Sequence, residues 1–595
     1  WGDYDNDGDL DILMTGNAGS LVTQVWRNDD LPFCPLYGLV TTADDLYQCI
    51  LEANSNDSPS PSADTITLGA DINLTSLTAS ALPPITSEIT LEGAGYTIDG
   101  GNSLQLFTVD TIGDFTVNQA TLQNGSATNG GAINNEGAVT VLNSTFSGNA
   151  ANSGGGIFSL GTLTVLNSTF SDNSAIGGGG AITAGGTLTV TNSTFFNNIA
   201  TSSGGGIVIA GTTATVSLST FADNSAPDGG AIYLAVNRTL HLAGNIFVAG
   251  ASGDNCLNFG NIANLIDNGY NLSDDATCTN GGTGSVMTAT LNLGALVDNG
   301  SPTLTHLPGI GSDAIDAIPS GSCSLNTDQR GISRPQGSGC DSGAVESRGF
   351  NLTISGGNNQ SAAINTAFVN ALQVTLVSSD TNQGIPGQVI TFTGPGSGAG
   401  INPTVVTATT DNSGAATVTV TANSNWGAYD LVATTPSAGQ PVTFSLQNYS
   451  FFTLATATAG AGNGTVTAGG VYTNGETITI TATEDVGSYF TGWTGAAGGA
   501  TNPLAVTMDS DKAITATFEV LNYSLSVATA GSGSVSKQPN QAAYPSGTVV
   551  DLTATADPGW TFAGWSGDTS GSANPLAVTM DGNKSITATF TQDEY

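Results

Sequence analysis

The chain has very few basic residues. Lysine and arginine together account for 8 of 595 residues, against 47 aspartates and glutamates, so the formal net charge is −39. Such a surface repels nucleic-acid phosphates and anionic lipid headgroups, so neither nucleic acid nor a membrane surface is an expected partner. Charged residues of both signs make up only 9% of the chain, which also argues against long helices laced with ion pairs.

Long hydrophobic runs are missing as well. No apolar stretch approaches the roughly 20 residues of a membrane span, so no span is expected within this fragment. The sequence begins at Trp1, without an initiator methionine and inside a motif. We therefore expect a fragment of an exported protein whose export signal lies upstream. The predicted location is extracellular, or the bacterial cell surface or outer membrane.

Cysteines are scarce, six in all, and they fall as three short-range couples. Six cysteines allow many connectivities, and sequence alone does not choose among them. We predict sequential pairing, because each couple closes a short loop near an end or an irregular coil of the repeat region described next. Paired cysteines fit an oxidising, exported setting, with free buried thiols as the alternative. The couples are Cys34–Cys49, Cys256–Cys278 and Cys323–Cys340.

Glycine is abundant, with 80 residues, and many of them lie in an internal repeat. A Gly-Gly-[Ala/Gly]-Ile block recurs every 24 or 25 residues, with a Phe-x-x-Asn block between successive copies. The intervening segments alternate apolar and polar residues and are too short for helices. A unit this small cannot bury its own apolar face, whereas stacked copies share one continuous core. The repeated core residues are Ile133, Ile157, Ile182, Ile207 and Ile232, and Phe146, Phe170, Phe195, Phe221 and Phe247.

This pattern predicts a parallel β-helix with the isoleucines and the phenylalanines stacked as interior rows. Asn143, Asn167 and Asn192, each in an Asn-Ser-Thr-Phe block, are predicted to stack at a strand-to-turn corner as an amide ladder. The later copies lack this asparagine, so the ladder should end there. An amphipathic helix around residues 44–52 is expected to cap the open N-terminal end of the core.

The repeats resemble the GGA[ILV] and FxxN repeats of chlamydial polymorphic outer-membrane proteins. The segment 328–346, DQRGISRP…CDSGAVE, is similar to the closing segment of secreted bacterial proteins of the pectin-lyase-like class. These resemblances imply a right-handed parallel β-helix with an N-terminal helical cap over residues 36–348.

Residues 1–30 contain alternate aspartates around a glycine, followed by a short strand. Such carboxylates can converge on one Ca²⁺, although Met14 stands where an EF-hand needs a glutamate. The spacing resembles the calcium loops of FG-GAP/VCBS propeller blades, which implies a partial blade with a structural Ca²⁺. A solvated acidic turn is the alternative. By that resemblance the ligands are Asp3, Asp5, Asp7 and Asp11, with the Asp9 carbonyl as a fifth.

The remaining residues read as three β domains. Short strands between Gly/Asn/Pro turns predict a β-sandwich over 350–447, and this segment resembles bacterial Ig-like domains of the invasin/intimin type. Residues 449–520 and 522–595 are tandem copies that resemble InlB B-type repeats, with Trp493 and Trp565 at matching positions. Each tryptophan is either a sugar platform or, as a neighbouring phenylalanine favours, part of the core. The predicted fold class is therefore all-β: a right-handed parallel β-helix, an Ig-like β-sandwich and two small tandem β-rich repeats.

The sequence does not favour catalysis. Polysaccharide lyases need a basic proton acceptor, and glycosidases need paired carboxylates at a controlled separation. Between residues 61 and 320 the only arginine is Arg238, and lysine is absent. Asp172 and Asp223 would lie two coils apart, roughly 10 Å, which is too wide for a retaining pair. We predict that the protein is not an enzyme and has no catalytic residues.

The predicted function is that of an adhesin-like or scaffold protein, surface-bound or secreted, which binds cell-surface proteins or glycans as a monomeric rod. The first alternative is a pectate-lyase-like, polysaccharide-active enzyme that uses aspartates of the irregular coils 251–320, and the second is a purely structural stalk. The predicted binding surface is the row of Phe-x-x-Asn turns, namely Asn149, Asp172, Asn173, Asn198, Asp223 and Asn224. The enzyme alternative would use Asp254, Asp267, Asp274, Asp275 and Asp298.

Overall fold

The computed structural model describes residues 39–55, 64–258, 264–436 and 439–594. It also describes the backbone of two short strands, Ile12–Thr15 and Thr23–Trp26, which pair antiparallel. The predicted calcium ligands at positions 3, 5, 7, 9 and 11 lie outside the described residues, as does Cys34.

Residues 64–287 wind as a parallel β-helix in which each strand pairs with its counterpart one coil away. Ile133 pairs with Ile157, and Ile157 pairs with Ile182. The same register continues to Ile232, and all five isoleucines are fully buried. The predicted isoleucine row is therefore present as a ladder along the axis.

Four parallel sheets form the sides of this β-helix, and we number them in the order in which one regular coil visits them. The first sheet contains Asp64–Thr67, Glu88–Glu92, Asp114–Asn118, Ala138–Leu142, Thr162–Leu166, Thr187–Thr191, Thr213–Ser217, Thr239–Ala243 and Leu265–Asp267. The second contains Ile72–Asn73, Thr97–Asp99, Thr121–Gln123, Thr145–Ser147, Thr169–Ser171, Thr194–Phe196, Thr220–Asn224, Ile246–Ala249, Leu272–Ser273 and Val286–Met287. The third contains Ser126–Asn129, Ala150–Ser153, Ser174–Ala175 and Ile199–Ala200. The fourth contains Phe107–Val109, Ile133–Asn135, Ile157–Ser159, Ile182–Ala184, Ile207–Ile209, Ile232–Leu234 and Cys256–Asn258.

The phenylalanines of the repeat form a continuous stack in the interior. Ring centroids of successive residues from Phe146 to Phe247 are 4.6, 5.0, 4.7 and 5.2 Å apart. The rings are nearly parallel, with interplanar angles from 5° to 21°. Because neighbouring strands are about 4.8 Å apart, rings at the same position of each coil meet face to face. The predicted aromatic row is confirmed.

A helix, Ala43–Ser55, covers the N-terminal end of the core, as the sequence predicts. Its buried residues include Leu46, Ile50 and Ala53, which belong to the same apolar cluster as Ile66 of the first coil. Asp44 holds the helix in place by accepting hydrogen bonds of 2.9 Å from both the backbone N–H and the hydroxyl of Thr78. The cap thereby keeps the apolar end of the stack out of water.

At the other end, residues 288–347 fold back along the second sheet, and we call them the closing segment. Thr169, Thr194 and Thr220 alternate with inward phenylalanines and so point outward, yet they are 0–2% exposed. Their hydroxyls bond to the closing segment: Thr169 donates to the Leu304 carbonyl, and Thr220 accepts from the Ala344 N–H. This part also contains a short antiparallel pair, Ile318–Pro319 with Gly339–Cys340, and the 3₁₀ turn Ser320–Ser322; a second 3₁₀ turn, Leu74–Ser76, lies near the cap.

Disulfides link neighbouring parts of this end of the molecule. Cys256 pairs with Cys278, and Cys323 pairs with Cys340, as predicted. Cys49 is also disulfide-bonded, but its predicted partner Cys34 lies outside the described residues.

The motif DQRG…RP…CDSGAVE forms a buried ionic cluster within the closing segment. Arg334 lies 3.1 Å from Glu346, and Arg330 lies 2.9 Å from both Asp328 and Asp380. All of these side chains are at most 2% exposed. Since Asp380 belongs to the following β unit, the cluster also joins the β-helix to that unit. Buried charges are tolerated here because each has an opposite partner.

Two sheets that share one core follow over residues 350–449. The smaller sheet contains Phe350–Gly356, Leu372–Ser378 and Ala415–Val418. The larger contains Gln360–Ala363, Val389–Thr393, Val405–Thr409, Gly427–Thr434 and Val442–Tyr449. Leu376 from the smaller sheet and Phe392 and Phe444 from the larger are fully buried between them, as in a β-sandwich.

Two similar β units complete the chain, each with its own apolar cluster. Trp493 and Trp565 are 2% and 4% exposed, and their Nε1–H groups donate to the carbonyls of Thr501 and Ala573. Both tryptophans are therefore core residues and not sugar platforms. The strands of the first unit are Phe451–Ala459, Gly464–Val466, Gly470–Thr473, Thr477–Ile480, Ala482–Glu484, Ser488–Gly495, Leu504–Thr507 and Lys512–Val520. Those of the second are Asn522–Tyr523, Leu525–Ala530, Gly533–Gln538, Tyr544–Pro545, Val549–Ala556, Trp560–Gly567, Leu576–Thr579 and Lys584–Gln592.

Candidate binding groove

The asparagines of the predicted binding row point into the β-helix. Asn149, Asn173, Asn198 and Asn224 are only 0–1% exposed. The prediction that these four side chains form an outward binding surface is therefore wrong.

The four asparagines instead form an amide ladder at the corner between the second and third sheets. The Nδ2 groups of Asn149, Asn173 and Asn198 each donate to the Oδ1 of the asparagine one coil further on, at 2.8–2.9 Å. Each Nδ2 also donates to a backbone carbonyl one coil back; for Asn198 that acceptor is the Phe170 carbonyl. Since Oδ1 also accepts a backbone N–H, the side chain satisfies the polar groups that the corner buries. Its role is structural.

The ladder predicted for Asn143, Asn167 and Asn192 is present only in part. All three have left-handed backbones, with φ between +48° and +51°. Asn167 donates to Asn143 at 3.3 Å, but Asn192 donates to the Thr327 carbonyl of the closing segment. The row therefore ends one coil earlier than predicted, because the side-chain amide of Asn192 donates to the closing segment and not to Asn167.

The two aspartates of the predicted row do reach the surface, where they line a groove. Asp172 and Asp223 are exposed, and Asp274 joins them from a later coil. The groove has a volume of about 750 Å³ and lies between the second sheet and residues 291–306 of the closing segment. Its floor spans five successive coils, roughly 20 Å along the axis. The floor includes Ser171, Phe196, Ala222 and Val248, and the wall includes Leu293, Gly294, Leu304 and His306.

Negative and apolar coils alternate along the floor. Asp172 and Asp223 occupy equivalent positions two coils apart, roughly 10 Å. Asp274 lies two coils further on, in register with Ala222 and Val248 and not with Asp223. Phe196 and Val248 occupy the coils between the three aspartates. No lysine or arginine lines the groove within the described part of the chain. The groove therefore presents carboxylates on alternate coils, with apolar side chains on the coils between them.

His306 is the one imidazole that lines the groove, and it is 4% exposed. Its Nδ1 lies 2.7 Å from the Gly294 carbonyl, and its ring centroid lies 5.1 Å from that of Phe196. Burial lowers the pKa of His306, against smaller opposing effects of the Gly294 hydrogen bond and the Asp223 charge. A neutral ring that donates from Nδ1 to the carbonyl leaves Nε2 as an acceptor. Nε2 is buried and has no hydrogen-bond partner among the described residues.

The three carboxylates differ in how far the protein already satisfies them. Asp172 accepts a 2.6 Å hydrogen bond from Asn197, and Asp274 accepts bonds from the Ala249 N–H and from Asn255. For Asp223 the described residues provide no hydrogen-bond donor, although its charge acts on His306. Asp223 and His306 are thus the least satisfied polar groups of the groove.

Backbone geometry does not explain the negative charges. Asp172 and Asp223 have φ of +57° and +55°, and Asn197 has φ of +50° at the same place in the coil between them. Asparagine and aspartate both tolerate this left-handed conformation, so either would suit the turn. The left-handed turn therefore does not require a carboxylate at position 172 or 223.

The other aspartates of the enzyme alternative lie outside the groove. Burial alone would raise the pKa of Asp267, but hydrogen bonds from Asn280, Ser285, Asn271 and Gly282 outweigh it and lower the pKa. Burial would also raise the pKa of Asp275, but hydrogen bonds outweigh it and lower the pKa, and the largest of these comes from the Asn255 N–H. Both carboxylates hold loops together. Asp298 accepts from the Gly300 N–H within its own turn, and Asp254 does not line the groove.

Sequence reasoning missed His306 and the wall around it. The only available signal was that the chain contains two histidines in total. The contact that builds the wall joins Thr169 to Leu304, 135 residues apart, and no local pattern encodes such a distance. Within the described ranges, no group of three or more His, Cys, Asp or Glu side chains is arranged to hold a metal ion.

Comparison with known families agrees with two parts of this architecture. Residues 106–270 match the family described as a right handed beta helix region. Residues 453–522 and 523–594 each match the divergent InlB B-repeat domain. The FG-GAP blade, the polymorphic outer-membrane type of repeat and the Ig-like domain stay predictions.

Other comparisons add little. No curated protein matches the chain. The I-band fragment I67-I69 from titin is 9% identical and covers 42% of this chain and 99% of its own, with a TM-score of 0.17. An E-to-A variant of titin domains I67-I69 is 11% identical, covers 41% and 89%, and has a TM-score of 0.16. Scores this low carry no argument about the fold.

No helix in the described part of the chain is long and apolar enough to cross a membrane. The chain is nearly all β, and it is similar to right-handed β-helix proteins in its first half and to InlB B-repeat proteins at its C-terminal end.

Proposed function

We propose that this protein is an exported, adhesin-like bacterial protein, surface-bound or secreted, that binds glycans in the groove of its β-helix. The family matches fit a surface protein, since β-helix and InlB-type repeats are typical of that class. The observation that carries the proposal is the groove itself: about 750 Å³, elongated along the axis, and lined by apolar surface with a few carboxylates. Sites of this composition hold a ligand by its faces and orient it by a few polar groups.

The β-helix suits the groove to an extended ligand. Ladders of buried isoleucines, phenylalanines and asparagines fix every coil relative to the next, so the groove floor is rigid. A rigid site loses little entropy when it binds. The two-sheet unit and the two C-terminal units would act as spacers or as further weak contacts, so that many molecules on one surface bind by multivalency.

The first test is binding of the whole chain to a glycan array and to intact cells. Ala295 is exposed on the groove wall, so Ala295→Trp should fill the groove and abolish binding. Ala81→Trp, at an exposed position near the N-terminal cap, is the matched control and should leave binding unchanged. If neither glycans nor cells are bound, or if Ala295→Trp binds as well as the parent chain, the proposal is wrong and a structural stalk becomes the better interpretation.

The same glycans also test the enzyme alternative. Asp172 and Asp223 lie two coils apart, roughly 10 Å, which is at the outer limit of the carboxylate separation in inverting glycosidases. This separation is the reason to test the groove for glycosidase activity. New reducing ends or unsaturated uronates after incubation with the parent chain, but not with Ala295→Trp, would assign an activity to the groove. Binding without products supports the adhesin-like function.

A further inference from the structure

We infer that the ligand of the groove is a linear glycan that carries amino groups, bound with its chain along the β-helix axis. This inference rests on the proposed function and deepens it. In it, the ammonium groups of the ligand lie on Asp172, Asp223 and Asp274, and the faces of its sugar rings lie on the apolar coils between them.

Four side chains that line the groove, Asp172, Asp223, Asp274 and His306, offer acceptors, and Ser171 and Asn292 complete its polar lining. The three carboxylates accept hydrogen bonds, and His306, whose Nδ1 lies against the Gly294 carbonyl, has an acceptor at Nε2, buried in the groove wall. Nε2 has no partner among the described residues although the side chain is 96% buried. A ligand that satisfies the exposed carboxylates must be rich in N–H or O–H donors. Hydroxyl and ammonium groups supply such donors, whereas a carboxylated or sulfated glycan would bring further acceptors.

Charge selects the ammonium group among the possible donors. The groove holds three negative charges, and the described residues that line it supply no cationic side chain to balance them. The chain as a whole carries −39, so its long-range field also repels anionic polymers and attracts cationic ones. An exposed ion pair contributes little by itself. Three ion pairs to one ligand, together with burial of the sugar-ring faces, give a specific site.

The spacing of the carboxylates favours a glycan over a basic peptide. Asp172 and Asp223 lie at equivalent positions two coils apart, roughly 10 Å, and Asp274 lies two coils further on. An extended peptide places side chains on one face every two residues, roughly 7 Å, which does not match the separation of two coils. Its lysines would have to bend their side chains to reach successive aspartates, which orders flexible groups. A linear glycan in which alternate sugars face the same way presents one amine per disaccharide, a unit of comparable length to two coils. Its intervening ring then meets Phe196 or Val248.

Asp223 is the centre of the proposed site. It is the carboxylate without a hydrogen-bond donor among the described residues, and its charge acts on the His306 side chain. Asp223→Asn is also a gentle change, because asparagine tolerates the φ of +55° and stands at the equivalent position 197. The variant removes the charge and keeps the turn.

The experiment is calorimetric titration of the whole chain with β-1,4-linked glucosamine oligomers at about pH 6, below the usual range of an amine. The fully N-acetylated oligomer of equal length has the same shape without the charge. We expect the amine form to bind at least about tenfold more tightly and Asp223→Asn to remove at least about tenfold in affinity, a loss of about 1.4 kcal/mol. Added salt should weaken binding of the parent chain. Asp114→Asn, exposed on the first sheet, is the matched control and should bind like the parent chain.

The outcomes separate this inference from the function beneath it. Equal binding of the amine and N-acetylated oligomers, or full affinity of Asp223→Asn, overturns the amine assignment while leaving glycan binding in the groove intact. Equally tight binding of an oligolysine peptide of matched charge overturns the choice of a glycan. Failure of every glycan to bind, on the array as well as in the titration, overturns the proposed function together with the inference.

Discussion

The chain contains two kinds of internal repeat that bury apolar surface in different ways. In the β-helix, each coil of 24 or 25 residues adds one isoleucine and one phenylalanine to a core shared with its neighbours. In the C-terminal pair, each copy closes a core of its own, around Trp493 in one and Trp565 in the other. A single coil therefore depends on its neighbours to fold, whereas each C-terminal copy is a complete folding unit.

Length explains the difference. A chain of about 60 residues can bury enough surface to fold alone, whereas a chain below about 40 residues needs help. The C-terminal copies repeat at an offset of 72 residues, which is above that limit, and the coils are far below it. A destabilising substitution in one coil should therefore destabilise the whole β-helix, while one in a C-terminal copy should destabilise that copy alone.

Stacking in the β-helix also sets which residues can repeat. Phenylalanine on phenylalanine and asparagine on asparagine are favourable, because rings pack face to face and an amide both donates and accepts. Carboxylates stacked at about 4.8 Å would repel one another. The exposed row accordingly alternates Asp172, Asn197 and Asp223, and Asn197 donates to Asp172. Within this row, a neutral residue therefore separates one carboxylate from the next.

The largest expected effect breaks the shared core. Phe195→Ala removes a fully buried ring from the middle of the stack and should cost about 3–5 kcal/mol, with protection from hydrogen exchange lost across all regular coils. Trp565→Ala should cost a comparable amount but expose only residues 523–594. Peptide-resolved hydrogen exchange of the two variants checks both. Loss of protection confined to one coil in Phe195→Ala, or spread to residues 453–522 in Trp565→Ala, would contradict the comparison.

The second prediction contrasts the coils with the closing segment. Burial, and next the repulsion from Glu346, raise the pKa of Asp341 to about 7. Between the ordinary pKa of an aspartate and about 7, the folded protein binds more protons than the unfolded chain. The free energy of unfolding of the closing segment should therefore fall as pH rises from about 4 to about 7, by at most about 1.4 kcal/mol per pH unit for one proton. The neutral ladders of the regular coils should add no such slope.

Hydrogen exchange in the closing segment at several pH values measures that slope, after correction for the intrinsic exchange rate. Asp341→Asn should flatten it, although the variant also loses one of the two backbone hydrogen bonds to the carboxylate. Asp298→Asn, in an exposed turn of the same segment, is the control and should keep the slope of the parent chain. A parent chain whose closing segment grows more stable between pH 4 and pH 7 would reverse the sign and refute the prediction.

The smallest effect concerns the amide ladder. Asn198→Ala leaves buried partners on both neighbouring coils without a hydrogen bond and should cost about 1–3 kcal/mol in chemical denaturation. Asn197→Gly changes the adjacent residue, whose φ of +50° suits glycine and whose side chain makes one surface hydrogen bond. It should cost less than about 1 kcal/mol. Equal costs for the two variants would mean that the buried ladder contributes no more than the surface row.

Prediction from the sequence worked where the pattern was local and periodic, and it failed at a corner. Alternation within a strand places Phe170 inside, and simple counting then suggests that Asn173 lies in an outward turn. Asp172, with φ of +57°, reverses the direction of the chain between them, so both side chains point inward. A left-handed residue between two positions breaks the period of two on which the prediction depended.

The sequence by itself determined the rod and its interior rows, because residues at a fixed spacing of 24 or 25 stack on one another once the first coil forms. It also marked the two C-terminal units, because their copies are aligned at a constant offset. Only the tertiary structure decided the groove. Its wall, residues 291–306, meets coils more than a hundred residues earlier in the chain, and it turns aspartates that would otherwise be ordinary solvated turns into one side of an acidic, partly apolar site.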